Sequence, residues 1–237
     1  NAPIPQNQDG WTPDIGQAYE IQKGVVALRL SRGETLAGAK MALTNPAART
    51  ALGITESPMG WLTDVMAVPD GADWPLAPRN FPRLEAEVAF RLKRPLSGEV
   101  TLGQAAAAVD QVMPAIELVD GRYSTKDLVV ADLVADNASA CGYVLGPASA
   151  LPDNLDALAV TVTVQGKEIF RGDTKSINGH PLQSLCDAAR LAARAGRQLE
   201  AGWIVLAGSA CPPTPIEGPG KITVTVQGLG DVSVFAR

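Results

Sequence analysis

Two glutamates separated by one residue stand out in the segment 82–92. If this segment is a β-strand, Glu85 and Glu87 share one face while Leu84 and Ala86 share the other, because successive side chains alternate. The two carboxylates would lie roughly 6–7 Å apart along the strand. Like charges this close repel each other unless a cation lies between them or both extend into water. Taken alone, the segment favours a solvated polar face, with a cation site as the open alternative.

The overall composition excludes several functional classes. The chain has 237 residues, 46% of them apolar and 19% charged, with a net charge of −5. Because acidic and basic residues are interspersed, we expect no nucleic-acid partner. No apolar run reaches the roughly 18–20 residues that span a bilayer, so we expect no membrane partner. Three widely separated cysteines without a CxxC or Cys/His cluster predict neither a zinc site nor a disulfide framework.

The hydrophobic pattern predicts a mixture of helices and strands. One helix is expected from Thr12-Pro13 to Gly33, with Ala18, Ile21, Val25 and Leu28 as its apolar stripe. A capping box at residues 101–104 predicts a second helix over 105–112, and a third is expected over 181–195. Apolar and β-branched runs predict strands at 82–92, 114–120, 160–164, 168–170, 203–207, 221–226 and 231–235, and residues 141–145 form a short apolar segment.

The order of these elements predicts the fold class. There is no regular βαβ alternation, no internal repeat and no linker, so we expect one α+β domain over residues 1–237 with a largely antiparallel or mixed curled β-sheet and a few flanking helices. Residues 1–80 would supply an extended lead-in, the N-terminal helix and a lid-like segment of loops and short strands. Residues 81–237 would form the β-rich catalytic core.

Seven segments carry a resemblance to a known family. In chain order they cover residues 38–44, 60–66, 82–92, 115–122, 135–139, 179–182 and 205–209. Together they resemble the 4-oxalocrotonate decarboxylase / 2-keto-4-pentenoate hydratase branch of the fumarylacetoacetate hydrolase superfamily, from about residue 12 to 235. The resemblance implies the β-roll of that superfamily.

The resemblance also implies a metal-dependent activity. It implies a Mg2+- or Mn2+-dependent lyase that acts on short 2-oxo or 2-hydroxy-dienoate acids from the meta-cleavage of aromatic rings. The metal ligands would be Glu85, Glu87 and Glu117. Hard divalent cations prefer oxygen ligands, and three carboxylates leave positions for water and substrate. A cation between Glu85 and Glu87 would also remove their repulsion, so with the resemblance we prefer the metal site.

Two further residues are expected to be catalytic. The resemblance places Lys40 at the substrate with Asp64 nearby. An ammonium group there could position a carboxylate and donate a proton, and we expect burial to lower its pKa. The alternatives are a surface lysine for Lys40 and a turn-capping aspartate for Asp64.

A third group of positions is expected to bind polar parts of the substrate or to support the ligands. These positions are Thr44, Asp136, Asn137 and Ser209, although such residues are also ordinary in loops. His180, which precedes Pro181 at a helix start, is expected to be structural. Because it is the only histidine, a Ser-His or Cys-His triad is not expected.

The sequence supports more than one reaction. The segments at 40–41, 62–64 and 224–230 favour decarboxylation of a 2-oxo-hexenedioate of the 4-oxalocrotonate type, with hydration of 2-hydroxypentadienoate as the alternative. A non-catalytic relative that binds small carboxylates or serves as a partner subunit is a third hypothesis.

We expect a homo-oligomer, with a hydratase/decarboxylase hetero-complex as the other assembly. We expect a cytoplasmic protein, with export as the alternative because the chain starts without methionine.

Overall fold

The structure, a computed structural model, describes residues 3–6, 12–124 and 129–237. Most of the predicted lead-in, residues 1, 2 and 7–11, lies outside the described residues. The helices are α1 Ile15–Ser31, α2 Pro46–Ala51, α3 Leu102–Ala108, α4 Val130–Ala135 and α5 Pro181–Arg194. The strands are β1 Leu36–Met41, β2 Met59–Thr63, β3 Ala67–Val68, β4 Asp73–Trp74, β5 Arg83–Leu92, β6 Val109–Val119, β7 Ala140–Leu145, β8 Ala159–Val164, β9 Lys167–Asp173, β10 Ile204–Ser209, β11 Thr214–Pro215, β12 Gly220–Val226 and β13 Gly230–Ala236.

The larger sheet is a mixed sheet that curls into a roll. Its strand order is β2-β1-β10-β5-β6-β7-β3, and β11 pairs with β5. The β1–β10 and β3–β7 pairs are parallel, and the other pairs are antiparallel. The chain passes from edge strand β2 to edge strand β3 through a single 3-10 turn, Asp64–Met66. One short turn can join opposite edges only if the sheet curls and brings them together.

The main core lies between the outer face of this roll, the second sheet and α5. The second sheet has the order β4-β13-β12-β8-β9. Alternate valines of β8, β12 and β13 point into the core, as the period of two in their sequences predicts. The apolar stripe of α5, which includes Leu185 and Ala189, is buried against them.

The inner face of the roll carries a second, smaller apolar cluster. Opposite residues in paired strands share a face, and the register puts Leu206, Ala89 and Met113 in one row there. These side chains are buried together with Leu62 and Tyr143. The two glutamates of β5 lie on this same inner face, because they alternate with core residues of the outer face.

Several predicted elements are confirmed and some are wrong in detail. The single curled α+β fold, the strand 82–92 and the third helix are confirmed. The second helix ends at Ala108 rather than Val112, because Val109 and Val112 pair with β5 as the start of a longer strand. The region 34–80 contributes two paired strands of the roll, β1 and β2, besides loops.

The details of the first helix were also predicted wrongly. Its N-cap is Asp14, not Thr12, because Asp14 and Gln17 exchange side-chain and backbone hydrogen bonds. The buried stripe is Ala18, Gln22 and Val26, whereas Ile21 and Leu28 are exposed. Gln22 is buried because its amide donates to the carbonyls of Met59 and Val134. Among the described residues, no helix combines the length and the hydropathy needed to cross a bilayer.

Candidate metal centre and active site

Three glutamates converge on the inner face of the roll. The register of β5 and β6 places Glu85 directly opposite Glu117, and Glu87 follows two residues along β5. One carboxylate oxygen from each of the three residues lies within 4.8 Å of the others. Glu87 and Glu117 are buried, whereas Glu85 is partly exposed. The cluster therefore has a closed side at Glu87 and an open side at Glu85.

Three buried carboxylate oxygens of the cluster accept no hydrogen bond within the described part of the chain. Glu87 Oε2 accepts a hydrogen bond of 2.8 Å from the backbone N–H of Gly208. Glu87 Oε1 and both carboxylate oxygens of Glu117 accept no hydrogen bond among the described residues, although Glu117 Oε1 forms an ion pair with Lys40. Buried polar atoms without partners are costly and rare in folded proteins. A hard divalent cation binds carboxylate oxygens and would satisfy atoms of this kind, so the residues present fit such an ion.

Lys40 is buried beside this cluster. Its Nζ lies 2.9 Å from Glu117 Oε1 and donates to the carbonyl of Ala138 at 3.0 Å. An ammonium group has three donors, of which the hydrogen bond to Ala138 uses one, while the contact with Glu117 is an ion pair. The alternative of a surface lysine is excluded, because the side chain is only 2% exposed.

The carbonyl that holds Lys40 belongs to an unusual turn. Asn137, Ala138 and Ser139 all have positive φ, between 53° and 56°. The side chain of Asn137 anchors the turn, since it accepts from the N–H of Trp61 at 2.8 Å and donates to its carbonyl at 2.9 Å. The turn packs on Gly60, where a Cβ would come within 2.5 Å of the carbonyl oxygen of Asn137. Asn137 thus positions Ala138, and Ala138 positions Lys40.

The buried charges shift one another's pKa values. Burial raises the pKa of Glu87 well above its usual range, and the neighbouring Glu117 and Glu85 raise it further. Burial also raises the pKa of Glu117 to about 7, although Lys40 opposes this shift. Burial lowers the pKa of Lys40, but the three carboxylates outweigh burial and raise it above its ordinary value. The prediction of a lowered pKa for Lys40 is therefore wrong when only the side chains of the protein act on it.

Thr44 and Ser209 are neighbours of Gly208, whose backbone N–H donates to Glu87. Thr44 lies against Gly208 in space, and Ser209 follows it in the chain. Gly208 has φ +106°, and a Cβ there would be 2.2 Å from Thr44 Oγ1, so Thr44 is buried directly against it. Ser209 is paired with Glu87 in the β10–β5 register. Its hydroxyl donates to the carbonyl of Cys211 at 2.7 Å. Both residues therefore border the cluster.

Asp136 and Asp64 have other contacts. Asp136 forms an ion pair with Arg122 at 2.7 Å and supports the turn that carries Asn137. The exposed Asp64 accepts from the N–H of Thr35 at 2.9 Å, which lowers its pKa. Asp64 follows Thr63, the last residue of β2. The residue of β2 that pairs with Lys40 is Gly60, about 13 Å away along the strand. The structure does not bring Asp64 to the glutamates and favours the turn-capping alternative.

His180 caps a helix, as expected. Its Nδ1 accepts from the N–H of Leu182 at the start of α5.

Two backbone groups of the site were not predicted from the sequence. They are the N–H of Gly208 and the carbonyl of Ala138, which contact Glu87 and Lys40. Backbone groups have no signature in residue types. The only signal was the glycine within the 205–209 segment, where a close approach to another chain segment requires a missing Cβ.

Comparisons with known proteins agree with this geometry. A family model described as fumarylacetoacetate (FAA) hydrolase C-terminal matches residues 40–234. A 4-oxalocrotonate decarboxylase of Pseudomonas sp. is 36% identical over 92% of this chain and 86% of its own length. A 2-keto-4-pentenoate hydratase of Paraburkholderia phymatum is 37% identical over 92% of this chain and 85% of its own. The decarboxylases and hydratases among these relatives are lyases.

A solved structure shows the same fold over the whole chain. The 4-oxalocrotonate decarboxylase from Pseudomonas putida G7, complexed with magnesium and adipate, superposes with a TM-score of 0.94 at 31% identity. The superposition covers 100% of this chain and 91% of that one. The same enzyme was also solved with calcium and acetate. This chain belongs to the fumarylacetoacetate hydrolase family, in the branch of the 4-oxalocrotonate decarboxylases and 2-keto-4-pentenoate hydratases.

Proposed function

We propose that this protein is a divalent-metal-dependent lyase for short 2-oxo acids, with Mg2+ or Mn2+ held by Glu85, Glu87 and Glu117. The observation that carries the proposal is the convergence of three carboxylates within 4.8 Å, two of them with buried oxygens that lack a donor. The magnesium and calcium bound by the Pseudomonas putida G7 relative support a divalent ion. A divalent cation held there would act as a Lewis acid that stabilises negative charge on the 2-oxo oxygen.

Lys40 would be the proton donor and would orient the substrate. The hydrogen bond to Ala138 and the ion pair with Glu117 hold its ammonium group in place beside the carboxylates. A fixed ammonium group can hydrogen-bond the acid and transfer a proton to it. Positive charge added among the three carboxylates would offset their pull on Lys40 and lower its pKa again.

The inner face of the roll would exclude water from the closed side of the cluster. Leu206, Ala89 and Met113 are fully or almost fully buried in the row behind it. In such a low-dielectric environment, the charges on Lys40 and the glutamates act more strongly on a bound acid than they would in water.

Decarboxylation is the reaction that we propose first. In this reaction the bond to a remote carboxylate breaks, CO2 leaves, the bonding electrons enter the conjugated 2-oxo system, and a carbon is then protonated. The whole-chain superposition on a decarboxylase supports it. Hydration of a 2-hydroxypentadienoate is the second candidate, because a hydratase is as similar in sequence as the decarboxylase.

Calorimetric titration with Mg2+ and Mn2+ tests the metal site. We expect the parent protein to bind, and we expect Glu85→Gln/Glu87→Gln to lose binding. The control is Glu20→Gln/Glu217→Gln, which makes the same change in charge at two exposed positions. Failure of the parent to bind, with or without oxalate, would refute the metal-dependent mechanism.

Two assays distinguish the reactions. Release of CO2 from a 2-oxo-hexenedioate measures decarboxylation, and addition of water to 2-hydroxypentadienoate measures hydration. Metal binding with no turnover on either acid would instead support the non-catalytic relative. The homo-oligomer and the hydratase/decarboxylase hetero-complex stay predictions, which light scattering of the protein alone and mixed with a hydratase would test.

A further inference from the structure

Arg83 lies on the same strand face as the glutamate cluster. It begins β5 and precedes Glu85 by two residues, so it points to the same side of the sheet, about 6–7 Å along the strand. It is paired with Val119 of β6 on one side and with Pro215 of β11 on the other. Exposure increases along this face, from buried Glu87 to partly exposed Glu85 and Arg83. Arg83 therefore lies at the open side of the cluster.

The guanidinium group of Arg83 has no partner among the residues that the structure describes. Within the described part of the chain it makes no hydrogen bond, ion pair or ring contact, although it is partly buried. The other partly buried arginines among the described residues have hydrogen-bond or ion-pair partners, as Arg122 has in Asp136 and Arg91 has in Gln111. A guanidinium group has five donors and always carries its charge. An unpaired one at the mouth of an acidic site is a candidate for binding an anion.

The charges of the centre indicate which part of a bound acid would contact Arg83. A divalent cation and Lys40 together balance the charges of the three glutamates. The head group of a 2-oxo acid would lie at the buried end, beside Lys40 and Glu117. The far end of the same molecule would then extend toward the open side, where Arg83, two residues before Glu85, is the next charged residue on this face of β5.

We propose that Arg83 binds the second, distal carboxylate of a dicarboxylic acid substrate. A guanidinium group can hold a carboxylate through two parallel hydrogen bonds, which makes it selective for this group. The inference rests on the proposed function and assigns a residue to the second carboxylate, which the decarboxylation proposed first already requires. A 2-oxo-hexenedioate has such a second carboxylate, whereas 2-hydroxypentadienoate does not.

Binding of adipate and hexanoate at saturating Mg2+ tests the proposal. The two acids have the same carbon chain, and only adipate carries a second carboxylate. We expect the parent protein to bind adipate more tightly. We expect Arg83→Met to weaken adipate binding by about ten- to a hundredfold, the range for a charge-assisted hydrogen bond, with little effect on hexanoate. Arg83→Lys should restore part of the preference.

The matched control is Arg91→Met. Arg91 lies on the same face of β5, four residues beyond Glu87, and its guanidinium donates to Gln111. Mg2+ titration of each variant shows that the glutamate cluster is intact, and Arg83→Met should retain Mg2+ binding.

Each outcome bears on a different part of the proposal. An adipate preference that persists in Arg83→Met would refute the role of Arg83 and leave the metal site standing. A parent protein that binds Mg2+ but shows no preference for adipate would refute the dicarboxylate assignment. A parent protein that binds no metal would refute the proposed function and this inference with it.

Discussion

Lys40 Nζ lies 2.9 Å from Glu117 Oε1, although β10 and β5 separate their two strands. In a flat sheet, three strand spacings would hold the two backbones about 14 Å apart. The curl of the roll brings these side chains together across its inner face. The contact between Lys40 and the carboxylates is therefore a consequence of the closure of the sheet.

Replacing Lys40 should separate catalysis from metal binding. We expect Lys40→Met to reduce turnover of the preferred 2-oxo acid by roughly 100-fold or more, since it removes the proton donor. Mg2+ affinity should persist or increase, because a positive charge beside the carboxylates is lost. Steady-state kinetics and calorimetry measure the two effects, with exposed Lys93→Met as the control. Full turnover in Lys40→Met would show that another group supplies the proton.

The stability of the metal-free protein should depend on the protonation of Glu117. Burial raises its pKa to about 7, above the value of about 4.3 for an unfolded glutamate. The folded state therefore binds this proton more tightly, and the resulting stabilisation is fully present below about pH 4.3 and is lost as the pH rises through about 7.

Urea unfolding with EDTA at about pH 5 and about pH 8 measures this dependence. We expect the parent to lose more free energy of unfolding over this interval than Glu117→Gln, which cannot titrate at that position. An equal loss in both proteins would contradict the assignment of the shift to Glu117.

Substitution of Gly208 should damage both stability and metal binding. A Cβ at this position would lie 2.2 Å from Thr44 Oγ1, and overpacking of this kind costs about 1–3 kcal/mol or more. Any backbone shift that relieves the contact also moves the N–H that holds Glu87. We therefore expect Gly208→Ala to unfold at lower urea and to bind Mg2+ more weakly.

The matched control is Gly33→Ala. Gly33 also has a positive φ, +92°, but a Cβ there would meet no atom within 4 Å. Its substitution should cost only the backbone strain, about 1–2 kcal/mol, and should leave Mg2+ affinity unchanged. Weaker Mg2+ binding in both variants would mean that Gly208 has no specific role at the site.

Removal of the Asn137 side chain should loosen the turn that holds Lys40. Its two hydrogen bonds to Trp61 are buried, and each unsatisfied backbone group costs about 1–3 kcal/mol. We expect Asn137→Ala to lower the free energy of unfolding by about 2–5 kcal/mol and to reduce turnover, because the Ala138 carbonyl would no longer be fixed.

Exposed Asn154, which makes no side-chain cap hydrogen bond, provides the comparison. Asn154→Ala should change the free energy of unfolding by less than about 0.5 kcal/mol. Turnover at the parent level in Asn137→Ala would show that Lys40 does not depend on this turn.

The local pattern of the sequence determined the faces of the elements. The alternation in β5 was enough to place Glu85 and Glu87 together and opposite the core residues, because a strand has a period of two. The valines of the second sheet and the apolar stripe of α5 were predictable for the same reason. The first helix shows the limit, because the buried Gln22 depends on two distant carbonyls.

The tertiary structure decided which residues meet. Glu117 came from the family resemblance, and only the β5–β6 register shows why it faces Glu85. The curl of the sheet decided that Lys40 reaches Glu117 while Asp64 stays at the far end of β2. Local periodicity sets the direction of a side chain, but register and curvature arise from pairing between strands that are distant in sequence. No window of the sequence contains that information.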